Sequence, residues 1–573
     1  MHEVQEQAEA AVIDAKRTNL TEVALLHCTM EQSTAQPVDV EKHAQLSLIS
    51  PMSISLDKRT VSSESSVTRS VRVQSKIAQW NTKIESLAGL EARGIARVPP
   101  DERHQVSVVG YAQMVFLWFS SNVTATNLGV GLLGPLLFNL GFTDSVMMAT
   151  FGCLLGSVVT AYMSIWSAQS GNRTMIVARY FMGYWPAKLI SFLNLITIVG
   201  YGTISCIIAG QILSAVSGGR MTIVVGIVIT ALITWLVAVF GMTVFQTWAW
   251  IPQVIVLLVL AGVAGEHFDT SSQSTGGSGA VTAGRLSFFS LSLSNAATWA
   301  GCGSDFYVYR RSNTIFIPPS LTIKVIQYPE TTSKRLAFLM TLTGLWTSIT
   351  FVYIIGIGLA TGTAVTPSWS TAYYVSSGAL ILEGYSAVGG FGKFCGVVVA
   401  LGVIANNVPG TYAGALDCQV MGRYGKMVPR YLWVCAVVLV YFVCAIAGRD
   451  QLVVIFQNFL ALMGYWIVIF VSIVLEEHLI FRRNRGFDWS AWENKNYLPA
   501  GAAALTAFFI GWAGAIIGMS QAWYIGPVAK MVDGVGADIG IWLGMGFALL
   551  TFPALRYLEL KQLGRQKEGV GHG

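Results

Sequence analysis

Long uncharged apolar runs dominate the chain, and each is close to the ~20 residues a helix needs to cross the hydrocarbon core of a bilayer. Twelve occur, at 107–138, 145–168, 187–216, 221–241, 247–265, 286–308, 336–361, 388–421, 430–447, 451–475, 499–521 and 536–556. No water reaches the middle of a bilayer, so backbone N–H and C=O groups there must pair within the segment. The runs therefore predict helices, and the expected fold class is an all-α polytopic membrane protein with about a dozen transmembrane helices. Composition agrees. Hydrophobic residues make up 53% of the chain and charged residues 12%, with a mean hydropathy of +0.57. A water-soluble surface needs more charge than that.

The polar ends follow a different rule. Residues 1–102, rich in Ser, Thr, Gln and Glu, lack the apolar area for a core and are expected to be a cytoplasmic, largely disordered tail. They contain no apolar run long enough for a signal peptide. Residues 103–558 form the expected transmembrane domain, and 559–573 a cytoplasmic C-terminal tail. With both termini inside, the inner loops collect Lys and Arg, as at Arg310, Arg311, Lys324, Lys334 and Arg335, whereas the outer loops hold few. The outer segment 266–285 reads as a flexible Gly/Ser loop. Loop bias of this kind accounts for the net charge of +6 without any nucleic-acid partner. The eight Cys show no CxxC pair and no His at metal-ligand spacing, so neither a disulfide framework, a metal site nor a cofactor is expected.

Two candidate spans are interrupted. The first carries Ser120-Ser121-Asn122 followed by Gly129, Gly131 and Gly134. The sixth carries Trp299-Ala300-Gly301-Cys302-Gly303-Ser304-Asp305. The two breaks correspond if 107–265 and 286–475 are copies of one five-helix unit, with 499–556 supplying two additional helices. Carriers built from inverted repeats place their site where such helices unwind. Small residues that merely allow close helix packing are the alternative. The eighth span adds Asn406-Asn407-Val408-Pro409-Gly410, where adjacent amides and a proline are costly in lipid unless they face a polar cavity or another helix. Amides both donate and accept, which suits a neutral heterocycle. Tyr201 and Ser205 share one face of the third span. Two acids, Asp305 and Asp417, are candidates for carrying a coupling proton or anchoring a gate; Asp305 could instead cap its own break, and Asp417 could pair with Arg423.

At these residues the chain resembles the fungal purine–cytosine permeases of the nucleobase–cation-symport family. The marks are GLEARGIARVPPDER, WFSSN, GYWPAK, TWAGCGSDFYVY, ANNVPGTYAGAL, NFLALMGYWIVIF with LEEHLIFRR, and GWAGAIIGMSQAWYIGP, spread from Gly89 to Leu558. The resemblance implies the inverted five-helix-repeat fold first seen in a bacterial leucine transporter, plus two helices. It implies proton-driven uptake of a purine or cytosine, in the plasma membrane; related members carry vitamin B6. It places the substrate-binding serine on Ser120, the stacking tryptophan on Trp299 and the asparagine pair on Asn406 and Asn407. The chain departs from the family at Tyr201 and Ser205, where Trp and Asn are usual, and at Gly410, where Asn is frequent. It also carries 16 residues, Ser312–Gln327, that the family lacks and that read as a retained intron.

The expected mechanism is alternating access. A small heterocycle stacks between Trp299 and Tyr201, and Ser120, Ser205, Asn406, Asn407 and the backbone near Gly301, Gly303 and Gly410 read its edge. Asn122, Asp305, Pro409, Thr411 and Asp417 are the candidates for coupling or gating. Helices 1, 2, 6 and 7 then rock against helices 3, 4, 8 and 9. Protons are the expected coupling ion. Sodium is the rival, held by carbonyls of the first break and hydroxyls of the eighth span such as Thr411. A nutrient sensor on the same scaffold is the competing class, favoured only by the long tail. No nucleophile–base pair supports an enzyme, and nothing in the sequence specifies an oligomeric state.

Overall fold

Backbone pairing inside an apolar medium leaves the helix as the form for each run, and the computed structural model is built accordingly. It describes residues 94–103, 108–240, 250–308, 328–483, 486–532, 534 and 536–563. The segment 312–327 and most of the N-terminal tail lie outside these. Sixteen helices carry the architecture: α1 (Val108–Asn122), α2 (Ala125–Phe138), α3 (Phe142–Ser164), α4 (Thr174–Met182), α5 (Pro186–Val216), α6 (Ile223–Phe240), α7 (Trp250–Ala264), α8 (Ser278–Ala297), α9 (Lys334–Gly362), α10 (Pro367–Val375), α11 (Ser377–Glu383), α12 (Gly389–Val420), α13 (Arg430–Gly448), α14 (Leu452–Glu476), α15 (Ala502–Gly518) and α16 (Gly540–Leu563). Among the described residues there is no strand, only an isolated bridge between Ser520 and Ile525.

In their described residues the apolar runs are largely helical, α1 and α2 sharing the first. Seven segments, containing α3, α5, α9, α12, α13, α14 and α16, are long and apolar enough to cross a membrane unbroken. Helices α2, α6, α7 and α15 are shorter but apolar. Helix α8 is Ser-rich and begins at Ser278, so the second half of the expected outer loop is helical. The last helix runs on to Leu563, past the expected boundary at 558.

The helices pack most densely within two groups. Helices α1, α2, α3, α8 and α9 form one; α5, α6, α12 and α13 form the other. These are spans 1, 2, 6 and 7 against spans 3, 4, 8 and 9. The contacts exchange under the repeat: α3 packs on α8 as α9 packs on α1 and α2, and α5 packs on α6 as α12 packs on α13. Helix α14 packs against both groups and against α16. Each repeat also inserts helices between its second and third spans, α4 in one and α10–α11 in the other, elements too short and polar to register as apolar runs.

The end of the N-terminal segment is folded, contrary to the expectation of a disordered tail up to 102. Arg103 donates through Nε and Nη2 to the Val98 carbonyl at 3.1 and 2.7 Å and through Nη1 to that of Ala168. The Val98 amide donates to Gly171 at 2.9 Å. A planar guanidinium can satisfy several carbonyls at once, which ties this stretch to the turn after α3. At the end of the chain, Arg556 grips Glu477 through two bonds of 2.9 Å, Arg482 adds a third at 3.0 Å, and Glu559 caps α15 by accepting from the Ala502 amide at 2.9 Å. This buried network fixes the two additional helices to α14.

Close approach of helices depends on glycine. At Gly156 on α3, a Cβ would lie 2.2 Å from the Leu293 carbonyl of α8. At Gly546 on α16 it would meet nothing within 4 Å. Gly156→Val should therefore cost about 1–3 kcal/mol by overpacking. Thermal unfolding in detergent, followed by loss of the monodisperse gel-filtration peak, should show a lowered midpoint for Gly156→Val and none for Gly546→Ala.

Candidate functional site

The first break lies two residues later than the sequence suggested. Helix α1 continues through Asn122, and the chain becomes extended at Thr124, with φ −141° and ψ 157°. Side chains of its last turn bond back to carbonyls of the preceding turn. Ser121 Oγ donates to the Leu117 carbonyl and Asn122 Nδ2 to that of Trp118, both at 2.9 Å. In the sixth span α8 tightens into a 3-10 turn over Thr298–Cys302, and a second short turn follows at Asp305–Val308. Helix α12 passes unbroken through Pro409, whose missing N–H leaves the Ala405 carbonyl without its helical donor.

Between these elements lies a cavity of about 40 Å³, well beyond the roughly 10–15 Å³ that one water requires. Helix α5 contributes Asn194, Thr197, Ile198, Tyr201 and Gly202; the sixth-span break contributes Thr298, Trp299 and Cys302; α12 contributes Asn406, Asn407, Gly410 and Thr411. Six of the expected site residues are thus brought together: Tyr201, Trp299, Asn406, Asn407, Gly410 and Thr411. The rings of Tyr201 and Trp299 both face the space without ring contact to each other.

Each ring is held by polar bonds. Trp299 donates from Nε1 to Asn122 Oδ1 at 3.0 Å and meets Trp118 edge-on, with centroids 5.8 Å apart. Tyr201 donates to Asn295 Oδ1 and accepts from Thr298, each at 3.0 Å, and leans on Phe459. Asn295 donates to Asn127 Oδ1 at 2.9 Å, and Asn127 donates to the Asn122 carbonyl at 2.7 Å. A run of amides therefore joins the two breaks and both aromatic walls. Asn406 donates to the Ser121 carbonyl at 2.7 Å, linking α12 to α1. Asn407 has only a 3.9 Å contact from its nitrogen to the Cys206 sulfur, and its carbonyl oxygen is buried with no partner.

The remaining expected residues stand elsewhere. Ser120 is buried in α1 with an unpartnered hydroxyl, away from the cavity wall. Ser205, one turn past the edge of the cavity, shares a 2.9 Å bond with Thr126 and so joins α5 to α2. Gly301 receives the Asn194 amide at 3.3 Å. Gly303 packs against α3. Asp305 does not cap its own break: its Oδ1 accepts from the Thr174 amide at 2.7 Å and the Thr174 hydroxyl at 3.0 Å, capping α4, while Arg173 donates to its main-chain carbonyl. A carboxylate is favoured at that positive helix end. Asp417 pairs with Asn194 at 2.7 Å, not with Arg423.

Asn194, Thr197, Thr298 and Asn127 were missed. For the α5 pair a signal existed, since Asn194, Thr197 and Tyr201 fall at i, i+3 and i+7 on an otherwise apolar helix. Among the described residues no group of His, Cys, Asp and Glu is arranged to hold a metal.

Comparison with known proteins fits this geometry. The profile of a family described as permease for cytosine/purines, uracil, thiamine, allantoin matches residues 97–315. The chain is 32% identical over 492 residues to the purine-cytosine permease fcyB of Emericella nidulans, covering 84% of this chain and 92% of the relative. It is 31% identical to the purine-cytosine permease FCY2 of Saccharomyces cerevisiae, covering 85% and 89%. It is 30% identical to the vitamin B6 transporter TPN1 of the same yeast, covering 85% and 90%. A solved structure of Mhp1, a nucleobase-cation-symport-1 family transporter in a closed conformation with bromovinylhydantoin bound, superposes with a TM-score of 0.60 at 13% identity, over 84% of this chain and 98% of that one. That likeness places the fold in the inverted-repeat class. The chain belongs to the purine–cytosine permease family and is a membrane carrier rather than an enzyme.

Proposed function

We propose that the protein is a proton-coupled symporter of a neutral, planar nitrogen heterocycle, in first place a purine or cytosine, acting at the plasma membrane with both termini in the cytoplasm. One observation carries this reading: a cavity with two aromatic walls is lined also by Asn407, whose buried carbonyl oxygen has no donor. Leaving such an acceptor unmade costs about 1–3 kcal/mol, which a ring N–H would recover. The flanking amides are neutral, so an uncharged ligand fits better than an ion.

The proton reading draws support from the first break. Carbonyls freed there are the groups a sodium ion would use, yet amide donors already occupy two of them: Asn406 on the Ser121 carbonyl and Asn127 on that of Asn122. Thr411 faces the cavity instead. Uptake of the labelled base should collapse with a protonophore and persist when sodium is replaced; the reverse pattern would refute proton coupling.

A second reading, carriage of a substituted pyridine such as vitamin B6, is favoured by the room at Gly410. A Cβ there would meet only Ile198 Cγ2, at 3.9 Å. The position is open to a larger side chain and, as it stands, to a bulkier ligand. A competition panel of purines, pyrimidines and pyridoxine separates the two. Gly410→Asn should shift selectivity toward cytosine by about tenfold, because an added amide restores a partner for the base edge.

The aromatic wall gives a sharper test. Trp299→Ala should reduce uptake more than tenfold. Trp299→Phe keeps a ring and loses one hydrogen bond of about 1 kcal/mol, a roughly fivefold effect. Gly546→Ala, on α16 where a Cβ meets nothing within 4 Å, should leave the apparent affinity unchanged. Equal losses in all three variants at equal surface expression would sink the assignment.

A further inference from the structure

Asp417 sits on α12 about two turns beyond Gly410, 2% exposed. Its Oδ2 accepts from Asn194 Nδ2 at 2.7 Å, and the same nitrogen donates to the Gly301 carbonyl at 3.3 Å. Asn194 is also part of the cavity wall. Ser191, one turn earlier on α5, donates to the Asp417 main-chain oxygen at 3.1 Å. No basic side chain pairs with the Asp417 carboxylate among the described residues. The other ionisable groups near it are Asp305 and Cys302 from the sixth span and Cys418 on its own helix. Arg173 and Arg430 lie over the Tyr412 ring, at 5.4 and 4.9 Å. Lys188 of α5 turns to the rings of Tyr184 and Trp185.

The two buried acids therefore differ. Asp305 is fixed by Thr174 and by a helix N-terminus. Asp417 has an amide partner, no counter-charge, and one side chain between itself and the cavity. A buried carboxylate without a cation is expensive when ionised, and a proton relieves it.

We propose that Asp417 carries the coupling proton and that Asn194 is the positioning residue that reports its state to the substrate. This rests on the proton-symport reading above. While Asp417 is ionised, a charge-assisted bond holds the Asn194 amide at the carboxylate, which lies 2.7 Å away against 3.3 Å for the Gly301 carbonyl. Once Asp417 is neutral, that assistance is gone and the amide is released toward Gly301 and the cavity. Glycine is required at 301, because a Cβ there would lie 1.9 Å from Asn194 Oδ1. One proton enters with each neutral base and leaves on the inner side. No substrate bond is made or broken, and one positive charge moves inward per cycle.

The test uses the full chain, fluorescently tagged, in a fungal cell lacking its own purine and cytosine permeases, and in proteoliposomes. The probe is whichever labelled base the wild type accumulates. If the wild type carries none, the functional reading fails before this inference is reached. Asp417→Asn should abolish pH-gradient-driven accumulation, at least tenfold, while exchange of labelled for unlabelled base persists. Asp417→Glu should restore accumulation with a displaced pH profile, and Asn194→Ala should displace the profile as well. Wild-type accumulation and profile in Asp417→Asn overturn the proposal. So does joint loss of exchange and accumulation in both Asp417 variants at normal surface level, which marks a structural role. If Asp417→Asn fails to reach the surface, Asp417→Glu and Asn194→Ala decide: displaced profiles support the proposal, and unchanged ones overturn it.

Discussion

The structure depends on how two interrupted helices are made tolerable where water is absent. Broken backbone in a bilayer leaves polar groups that nothing in the lipid can pair. Here amide side chains do it. Asn127 and Asn406 cover carbonyls at the first break, Asn122 anchors the Trp299 indole at the second, and Asn295 joins Asn127 to Tyr201. The atoms that satisfy the breaks also orient both aromatic walls. The cost of unwinding and the precision of the site therefore have one source.

These bonds also run between the two helix groups. Asn406 to Ser121, Tyr201 to Asn295, Ser205 to Thr126 and Asn194 to Gly301 each link α5 or α12 to the group containing α1, α2 and α8. Rocking one group against the other must break some of them, at a net cost of about 0.5–1.5 kcal/mol each. That sum is of the size a bound ligand can return through its own contacts, so occupancy and conformation are tied. Within the first group, by contrast, Gly156 brings α3 almost into contact with the α8 backbone, and Thr160 bonds the Ala296 carbonyl at 2.8 Å. That side of the site is fit to move as a block.

The all-helical character of the apolar runs and the two breaks were legible because each is a local matter: apolar length for the first, a cluster of Gly, Ser and Asn inside an apolar run for the second. Trp299, Asn406 and Asn407, singled out in the sequence because polar residues in mid-span have few other uses, line the cavity. What was not legible depended on a partner distant in sequence. Ser205 has the right spacing from Tyr201 but is taken by Thr126. Asp305 reads as a cap for its own break and instead caps α4, over 130 residues earlier in the chain. Residues 94–103 look like the end of a disordered tail because their order comes from Arg103 reaching the Ala168 carbonyl and the Val98 amide reaching that of Gly171, which composition does not reveal.

In the proposed reading, selectivity and coupling occupy different levels of α12, about two turns apart. The turns at Asn406, Asn407 and Gly410 offer a ligand neutral amides and open space. The turn at Asp417 bonds to Asn194 and Ser191. Placing an acid directly in the cavity would have given an ionisable group to a site that must hold an uncharged ring, and would have favoured cations as ligands. Setting it one side chain back leaves the cavity neutral in both protonation states. What reaches the ligand is then the direction of an amide rather than a charge, and an amide can be turned without changing which molecules fit.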